Sequence, residues 1–342
     1  NDVPGPATLA GNLWGQSGAG ITAGSDTTQE VFGEIRVPLL AGLPFAERLE
    51  LSLSGRHTEV ETSGAADTYK VGMSYQITPA WQVRFTQGTS FRAPALFELY
   101  LADQTSFVGA RTVDPCIGWG AALAAGSISQ QIADNCDADG IPDDFTSNVS
   151  VTVSSGGGLG LLEPETSEAR TIGIVYTPSF INLNVALDYT EIEVLDQVAE
   201  LSAGQIVFGC YGSENFPNDS LCDLFSRGSV TNPFQIDTVR SSFLNINSQT
   251  NRAIDLTYRY DHEFSFGDFS TQGQFTWQLE DTVSLFEGEI FDTNGDPGEP
   301  DFVGNIDFRF DRGDFTYFWG VDFIGKQSEA EDRRDGTATQ IY

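Results

Sequence analysis

Hydrophobic and polar residues alternate along most of this chain with a period of two. Leu49 and Leu51 fall on one side of a segment whose other side carries Glu50 and Ser52. Such alternation is typical of β-strands that have one apolar and one polar face. The pattern predicts no long helix, apart from a short one at residues 121–132. It predicts ten strands, at residues 28–38, 47–58, 67–77, 81–91, 166–177, 181–193, 238–261, 267–284, 301–311 and 314–326.

The joins between the predicted strands differ in length, and from residue 78 onward short and long joins alternate. A soluble β-sandwich has no reason to place every long loop at one end. An outer-membrane barrel does, because it has short periplasmic turns and long extracellular loops. The short joins are residues 39–46, 78–80, 178–180, 262–266 and 312–313, and the long joins are residues 59–66, 92–165, 194–237 and 285–300.

The alternation does not by itself decide which face meets lipid, because a soluble barrel with an apolar interior has the same pattern. The polar faces carry large charged residues such as Arg36, Lys70, Arg84 and Arg309, which suit a water-filled lumen. We therefore expect an all-β fold, an antiparallel transmembrane β-barrel. Aromatic residues gather at strand ends, as in the girdles of membrane barrels: Tyr69, Trp81, Phe91, Tyr176, Phe310, Phe315, Tyr317 and Trp319.

The composition narrows the possible partners. The 342 residues include 49 acidic and 17 basic side chains, for a net charge of −32. Such a surface repels phosphate backbones, so binding to nucleic acid is disfavoured. No run of about 20 apolar residues is present, as a membrane-spanning helix requires, but a spanning strand needs only about 9–11 residues of alternating character. Lipid therefore remains an expected partner.

The four cysteines form two close pairs in the sequence, Cys116 with Cys136 and Cys210 with Cys222. Both pairs lie in segments rich in Gly, Ser, Asp and Asn, which indicates loop disulfides in an oxidising compartment. Four cysteines allow three connectivities, of which pairing between neighbours is one.

A recognisable string, TSFRAPALFELY, lies at residues 89–100. It resembles the segment of TonB-dependent receptors in which a strand leads into a long outer loop. The flanking strings EVFGEIRVPLL, PFAERLELSLSGRHTEV, LEPETSEARTIGIVYTPSFINLNVALDYTEIEV and NINSQTNRAIDLTYRY are similar to other strands of that family, in family order. The resemblance covers residues 28–326 and implies a barrel of about 22 strands in the bacterial outer membrane. It also implies import of a scarce nutrient (an iron chelate, cobalamin, an oligosaccharide or a peptide).

About ten of those strands are present, so we expect residues 1–342 to be part of a single barrel domain, a fragment with long extracellular loops and short periplasmic turns. The N-terminal plug, the segment that meets TonB and the final strands are expected to lie outside this sequence. An open edge in lipid leaves backbone groups unpaired, so ten strands of so wide a barrel do not close alone. The alternative function is that of a secreted soluble β-sandwich or barrel protein that binds or cleaves polysaccharide.

The candidate ligand contacts lie at or in the two longest loops. Arg92 stands at the root of the first loop, where we interpret it as paired with an acid such as Glu98 rather than as bound to substrate. Outer loops face the substrate, and aromatic rings stack on sugars or chelates. The other candidates are Phe107, Arg111, Trp119, Tyr211 and Phe216, for which packing within the loops is the alternative.

The predicted function requires no cofactor. Two acidic segments nevertheless resemble loops that bind structural Ca²⁺. Around Gly140, four carboxylates occupy the alternating positions of a Ca²⁺ loop, but the twelve-residue pattern is incomplete. A solvated acidic turn is the alternative there, and an Asn-Gly turn is the alternative in the second segment. The possible Ca²⁺ ligands are Asp137, Asp139, Asp143 and Asp144 in the first segment and Asp292, Asn294 and Asp296 in the second.

Catalytic chemistry finds little support in the sequence. The only histidines, His57 and His262, lie at strand ends without a nucleophile motif nearby. The glycine run at residues 156–158 lacks the Lys-Ser/Thr of a phosphate loop. Acid pairs such as Glu163 and Glu165 arise by chance among 49 acids. We therefore predict that the protein is not an enzyme.

Overall fold

The computed structural model describes residues 2–10, 18–228, 232–285 and 290–328. Strands dominate it, and every predicted strand overlaps one or two of the observed strands. In chain order the strands are β1 Thr28–Leu43, β2 Ala46–Val60, β3 Gly64–Thr78, β4 Trp81–Arg92, β5 Gln104–Gly109, β6 Ser150–Ser155, β7 Glu165–Tyr176, β8 Leu183–Glu200, β9 Phe225–Arg227, β10 Ile236–Arg240, β11 Phe243–Phe264, β12 Gly267–Ser284, β13 Phe291–Asp292, β14 Phe302–Arg312 and β15 Phe315–Ile324.

The helices are short and lie outside the long strands. A 3-10 turn at Ser220–Leu224 accompanies them. The helices are α1 Pro6–Leu9, α2 Leu96–Tyr100, α3 Ala110–Val113, α4 Trp119–Ala124, α5 Gln130–Ala138 and α6 Ala203–Gly212. Among the described residues, no helix is long and apolar enough to cross a membrane.

Ten strands form one antiparallel sheet, which we call the wall, in the order β1-β2-β3-β4-β7-β8-β11-β12-β14-β15. Each strand pairs with the next wall strand along the chain, so the wall is an uninterrupted meander. The described strands form an open path with β1 and β15 at its edges; closure into a barrel is not seen. The short strand β13 pairs with β12 beside this path.

Three sequence expectations are corrected. The predicted strand 238–261 is two strands, because the chain leaves one sheet for another at Ser241, whose hydroxyl donates to the Leu201 carbonyl at 2.5 Å. The predicted helix 121–132 is divided between α4 and α5. The predicted long join 59–66 is a tight turn at residues 61–63, because Ala65 and Ala66 pair with Glu59 and Thr58.

The wall keeps its apolar side chains exposed on one face. Ile172, Ile174 and Leu187 are 52%, 46% and 46% exposed although they lie in the middle of the sheet. A soluble barrel or sandwich would have packed these rows against one another in a dry interior. The main buried core lies instead in the long connections. The apolar face of the wall is therefore left exposed in the part of the chain that the structure describes.

The polar face of the wall is crossed by ion pairs. Arg84 of β4 reaches over β7 to Asp188 of β8, with Nε 2.8 Å from Oδ1. The residue between them on β7 is Gly173, in register with both. A Cβ at this position would collide with the Asp188 carboxylate and stand 3.1 Å from Arg84 Nε. Glycine is therefore needed here to let the pair form across the strand.

The two ends of the wall differ. At one end the strands are joined by short turns, and aromatic rings cluster there: Trp81 lies 4.3 Å from Tyr176, and Phe266 lies 6.0 Å from Phe310 (ring centroids). At the other end two of the connections, between β4 and β7 and between β8 and β11, are long and folded. One end of the wall therefore carries short turns and the other carries long loops, as the sequence predicts.

Candidate functional site

The two longest connections fold together into one unit, which we call the cap: residues 93–164 and the described part of residues 201–242. The first supplies α2–α5 with β5 and β6, and the second supplies α6 with β9 and β10. Their strands join in a second sheet of order β5-β6-β10-β9. The link between the two connections is the parallel pair of β6 and β10. Neither connection makes this sheet alone.

The cap has its own apolar core. Val151 of β6, Ile206 and Val207 of α6 and Val239 of β10 are fully buried in it. Ile246, near the start of β11, belongs to the same core, so the cap also packs on the top of the wall. Burying large aliphatic side chains stabilises such a unit by about 1.5–3 kcal/mol each. The cap is therefore a packed structure rather than a pair of independent loops.

Both disulfides lie in the cap and join neighbouring cysteines, as one of the predicted connectivities requires. Cys116 is bonded to Cys136 within the first connection, and Cys210 to Cys222 within the second. Asn135, next to Cys136, ties the connections together, because its side-chain amide donates to the Tyr211 carbonyl at 2.8 Å and to the Ser213 carbonyl at 3.0 Å.

A buried ion pair also joins the two connections. Arg227 of β9 forms two hydrogen bonds to Asp114, of 2.8 and 2.9 Å, and the two side chains are only 9% and 2% exposed. Burial opposes the charge of Arg227, but the hydrogen bonds to Asp114 outweigh it and raise the pKa of the guanidinium. The sequence analysis missed this pair; the one signal available was a single arginine within an acidic loop.

Tyr211 extends this polar network. Its hydroxyl accepts a 2.9 Å hydrogen bond from Arg227 Nε and donates one of 2.6 Å to Asp139, and the guanidinium lies 5.2 Å from its ring centroid. Burial is the main reason why the pKa of Tyr211 is raised well above its usual value, and the hydrogen bond to Asp139 raises it further. Phe216 stacks on the ring at 5.1 Å.

The root of the cap is held by Arg92, at the end of β4. Its Nη1 lies 3.0 Å from Glu98 Oε2 and its Nε 2.7 Å from Glu165 Oε2. Glu165 also accepts a 2.8 Å hydrogen bond from the backbone of Val198. The interpretation of Arg92 as a loop-root arginine paired with Glu98 agrees with these contacts. Glu165, which sequence reasoning set aside as a chance acid, is its second partner.

The remaining candidate contacts separate into exposed and packed side chains. Phe107 is 57% exposed on β5. Arg111 is exposed and donates to Asn148 at 2.9 Å. Trp119 packs against the cap core and donates from Nε1 to the Ile141 carbonyl at 2.9 Å, while Tyr211 is 1% exposed. Trp119, Tyr211 and Phe216 therefore build the cap, and Phe107 and Arg111 face outward from it.

The first calcium segment adopts a different structure from the one expected. Asp137 lies within α5 and Asp139 caps that helix, so the carboxylates do not alternate around a loop. Asp143 lies against Gly120 of α4, and Asp139 is engaged by Tyr211. Within the part of the chain that the structure describes, no three His, Cys, Asp or Glu side chains are grouped to hold a metal.

The glycine run at residues 156–158 serves packing. The backbone N–H of Gly157 donates to the Leu101 carbonyl at 2.7 Å, and that of Gly158 donates to the Glu98 carbonyl at 2.8 Å. A Cβ on Gly157 would collide with the backbone of Leu99. Only glycine lets this segment approach the α2 segment so closely.

Comparison with known proteins agrees with this architecture. The family profile described as "TonB dependent receptor-like, beta-barrel" matches residues 3–340. The chain belongs to the TonB-dependent receptor β-barrel family. A search of curated proteins finds no match.

Among solved structures, a mutant of the ferric enterobactin receptor PfeA from Pseudomonas aeruginosa superposes with a TM-score of 0.55 and 15% identity, over 89% of this chain and 33% of that one. The siderophore receptor PirA from Acinetobacter baumannii superposes with a TM-score of 0.52 and 13% identity, over 88% and 34%. The chain thus spans about a third of the length of these receptors. At this identity the likeness concerns the fold.

Proposed function

We propose that this protein takes part in importing a scarce nutrient across the bacterial outer membrane, as part of a TonB-dependent receptor. The observation that carries the proposal is the wall, whose central apolar side chains stay exposed on one face while the Arg84–Asp188 ion pair crosses the other. A transmembrane barrel needs this distribution, with lipid outside and a polar lumen inside. The plug and the contact with TonB are supplied by the rest of such a receptor.

The cap is the part that captures the ligand in this proposal. Phe107 and Arg111 face outward from it, a ring for stacking and a guanidinium for an anionic group. The ligand is an iron chelate, cobalamin, an oligosaccharide or a peptide. With a net charge of −32, the protein disfavours a highly anionic ligand such as a bare ferric catecholate.

Growth of a strain that lacks the receptor tests the proposal. The strain is grown on each ligand class as the only source of iron, cobalamin, carbon or nitrogen, and is complemented with the full-length receptor or with its Phe107→Ala/Arg111→Ala form. We expect a growth defect on one class, rescued by the full-length receptor and less well by the double variant. Growth equal to the parent on every class, or recovery of the receptor in a soluble fraction without detergent, would refute the proposal.

Any structural Ca²⁺ is proposed to belong to the connection between β12 and β14. Asp281 Oδ1, near the end of β12, and Asn294 Oδ1, in the connection, are buried with no hydrogen-bond donor, and oxygen atoms of this kind are calcium ligands. Asp292 Oδ1 already accepts a 3.0 Å hydrogen bond from the Asn294 backbone. Chelation should then speed proteolysis of this connection and leave the cap unchanged. An unchanged digestion pattern in both places would end the calcium proposal.

A further inference from the structure

A row of alternating charges crosses four wall strands on the apolar face. Arg170, Glu191, Arg252 and Glu280 are in register on β7, β8, β11 and β12. Arg170 Nη2 lies 2.6 Å from Glu191 Oε2, and Arg252 Nε lies 3.1 Å from Glu191 Oε1. Arg252 Nη1 in turn lies 2.5 Å from Glu280 Oε2. We call these four residues the charge row.

The charge row shares its face with the apolar side chains of the wall, because residues two apart on a strand point the same way. Directly below it, on the side of the short turns, are Ile172, Tyr189 and Ile254. One step further down are Ile174, Leu187 and Leu256. No charged side chain stands on this face at either of these two levels of β7, β8 and β11.

At the next level above the charge row the same face is also polar. Glu168 and Glu193 are directly opposite each other on β7 and β8, and Thr250 of β11 is in register with Glu193. Gln87 of β4 donates to Glu168 at 2.6 Å. The face therefore changes from apolar to charged at a single level, on adjacent strands.

A charge on the lipid face of a barrel is most unfavourable at the middle of the bilayer and nearly harmless at its interfaces. We propose that the charge row marks the outer edge of the hydrocarbon layer, where it contacts the phosphate-bearing headgroups of the outer leaflet. The inference rests on the outer-membrane location in the proposed function and assigns the depth at which these strands sit.

The height of the row is consistent with this assignment. Six residue steps separate Arg170 from Tyr176 at the end of β7, and twelve separate Arg252 from Phe264 at the end of β11. With a rise of about 3.3 Å per residue and a strand tilt of about 40°, Arg170 lies about 15 Å and Arg252 about 30 Å above these strand ends, measured along the barrel axis. These heights bracket the apolar band of about 25 Å in such barrels. The two values differ because β11 continues six residues beyond Tyr258, which is in register with Tyr176 through Val185.

The arginines of the row are suited to headgroups. Arg170 and Arg252 are 57% and 41% exposed, so their guanidinium groups remain accessible while paired. A guanidinium with free N–H groups binds phosphate oxygens well. The Tyr189 hydroxyl donates to Glu191 at 3.1 Å from just below the row, as a ring placed at an interface would. At the other end of the wall, beside the short turns, aromatic rings cluster.

Spin-label depth measurements test the inference on the full-length receptor in vesicles of phosphatidylcholine and phosphatidylglycerol. A nitroxide is placed at Ile174→Cys, Ile172→Cys and Glu168→Cys, one at a time, with both native disulfides kept oxidised; Thr171→Cys on the polar face is the control. Oxygen should relax the label more than a water-soluble nickel chelate does at 174 and 172, and less at 168. The polar-face label should show no preference for oxygen.

Two results would overturn the proposal. Oxygen preference at residue 168 would place the edge above the charge row, and nickel preference at residue 172 would place it below. Nickel preference at residue 174 as well would refute the membrane location itself. Because the vesicles contain neither nutrient nor TonB, a failed import assay has no bearing on the result.

A second measurement compares an arginine at two depths. In the full-length receptor, Ile172→Arg should lower the folded fraction in outer membranes, whereas Glu168→Arg should leave it near that of the parent. The fraction is read from the heat-modifiable mobility shift of the barrel on a gel. Equal effects of the two substitutions would contradict a hydrocarbon edge between these residues.

Discussion

Loss of the Arg227 guanidinium should loosen the cap without disturbing the wall. The substitution Arg227→Leu leaves Asp114, which is only 2% exposed, without its charged partner. It also removes the hydrogen bond to the Tyr211 hydroxyl. Breaking a buried pair by removing one partner costs about 3–5 kcal/mol, because the other charge stays buried and uncompensated. Because this loss destabilises the cap, which is built from two connections, both connections should open together.

Hydrogen exchange measures this effect locally. A loss of about 3–5 kcal/mol in the free energy of opening raises amide exchange by a factor of about 10² to 10³ or more. The increase should appear in α6, β6 and β10 of the full-length receptor, while β7 and β11 keep the protection of the parent protein. Heat denaturation of the whole barrel would not resolve a change confined to the cap.

Two companion variants separate the buried pair from general damage. Arg111→Leu removes an exposed arginine of the same cap, whose partner is Asn148, and should change exchange little. Arg227→Leu combined with Asp114→Leu removes both charges and should recover much of the loss, since apolar replacement of a buried pair is often neutral. Exchange in Arg227→Leu within about threefold of the Arg111→Leu value would refute this account.

Three further outcomes are expected. Gly173→Val should lower the folding yield in the membrane, because the valine side chain displaces the Arg84–Asp188 pair. Gly33→Val is the control and should not lower the yield, because nothing lies within 4 Å of the added Cβ. Equal yields of the two variants would refute the role of Gly173. Reducing both disulfides should speed proteolysis of the cap but not of the wall, as both disulfides lie in the cap. The raised pKa of Tyr211 means that the fold favours the neutral phenol, so the stability that Tyr211 contributes is complete below pH ~10 and is lost at higher pH. An alkaline absorbance titration should show a late-ionising tyrosine in the parent protein. The Tyr211→Phe variant should lack this late step.

The wall could be predicted because each of its strands repeats the same simple pattern. In β14, Phe308 and Phe310 fall on one face and Asp307 and Arg309 on the other, and this alternation needs only a sheet with two different environments. The error at residues 238–261 has a physical reason. β10 and β11 are both extended, and only their pairing with different neighbours, β6 and β9 for β10 and β8 and β12 for β11, shows that they belong to different sheets.

The cap could not be predicted from periodicity, because its stability comes from contacts between distant parts of the chain. Asp114 and Arg227 are 113 residues apart, and Asn135 bonds to a carbonyl 76 residues away. Short helices such as α3 and α6 are fixed by packing and disulfides rather than by a long amphipathic repeat. The local structure of the first acidic segment could not be predicted for the same reason, because nothing local shows that Asp139 accepts a hydrogen bond from Tyr211.

The distribution of positive charge gives a last expectation about the ligand. Nine arginines of the described residues are in ion pairs with carboxylates, so most of the positive charge is already paired with acids of the same chain. The acids are in excess, 49 against 17 bases, and an approaching ligand meets that excess. If the proposed import function holds, a cationic ferric chelate should bind more tightly than an anionic one of similar size. Salt should strengthen binding of the anionic chelate and weaken that of the cationic one, because screening reduces both repulsion and attraction. Binding of the anionic chelate that weakens with salt would show a local positive site that overrides the net charge, with exposed Arg111 as the first residue to replace.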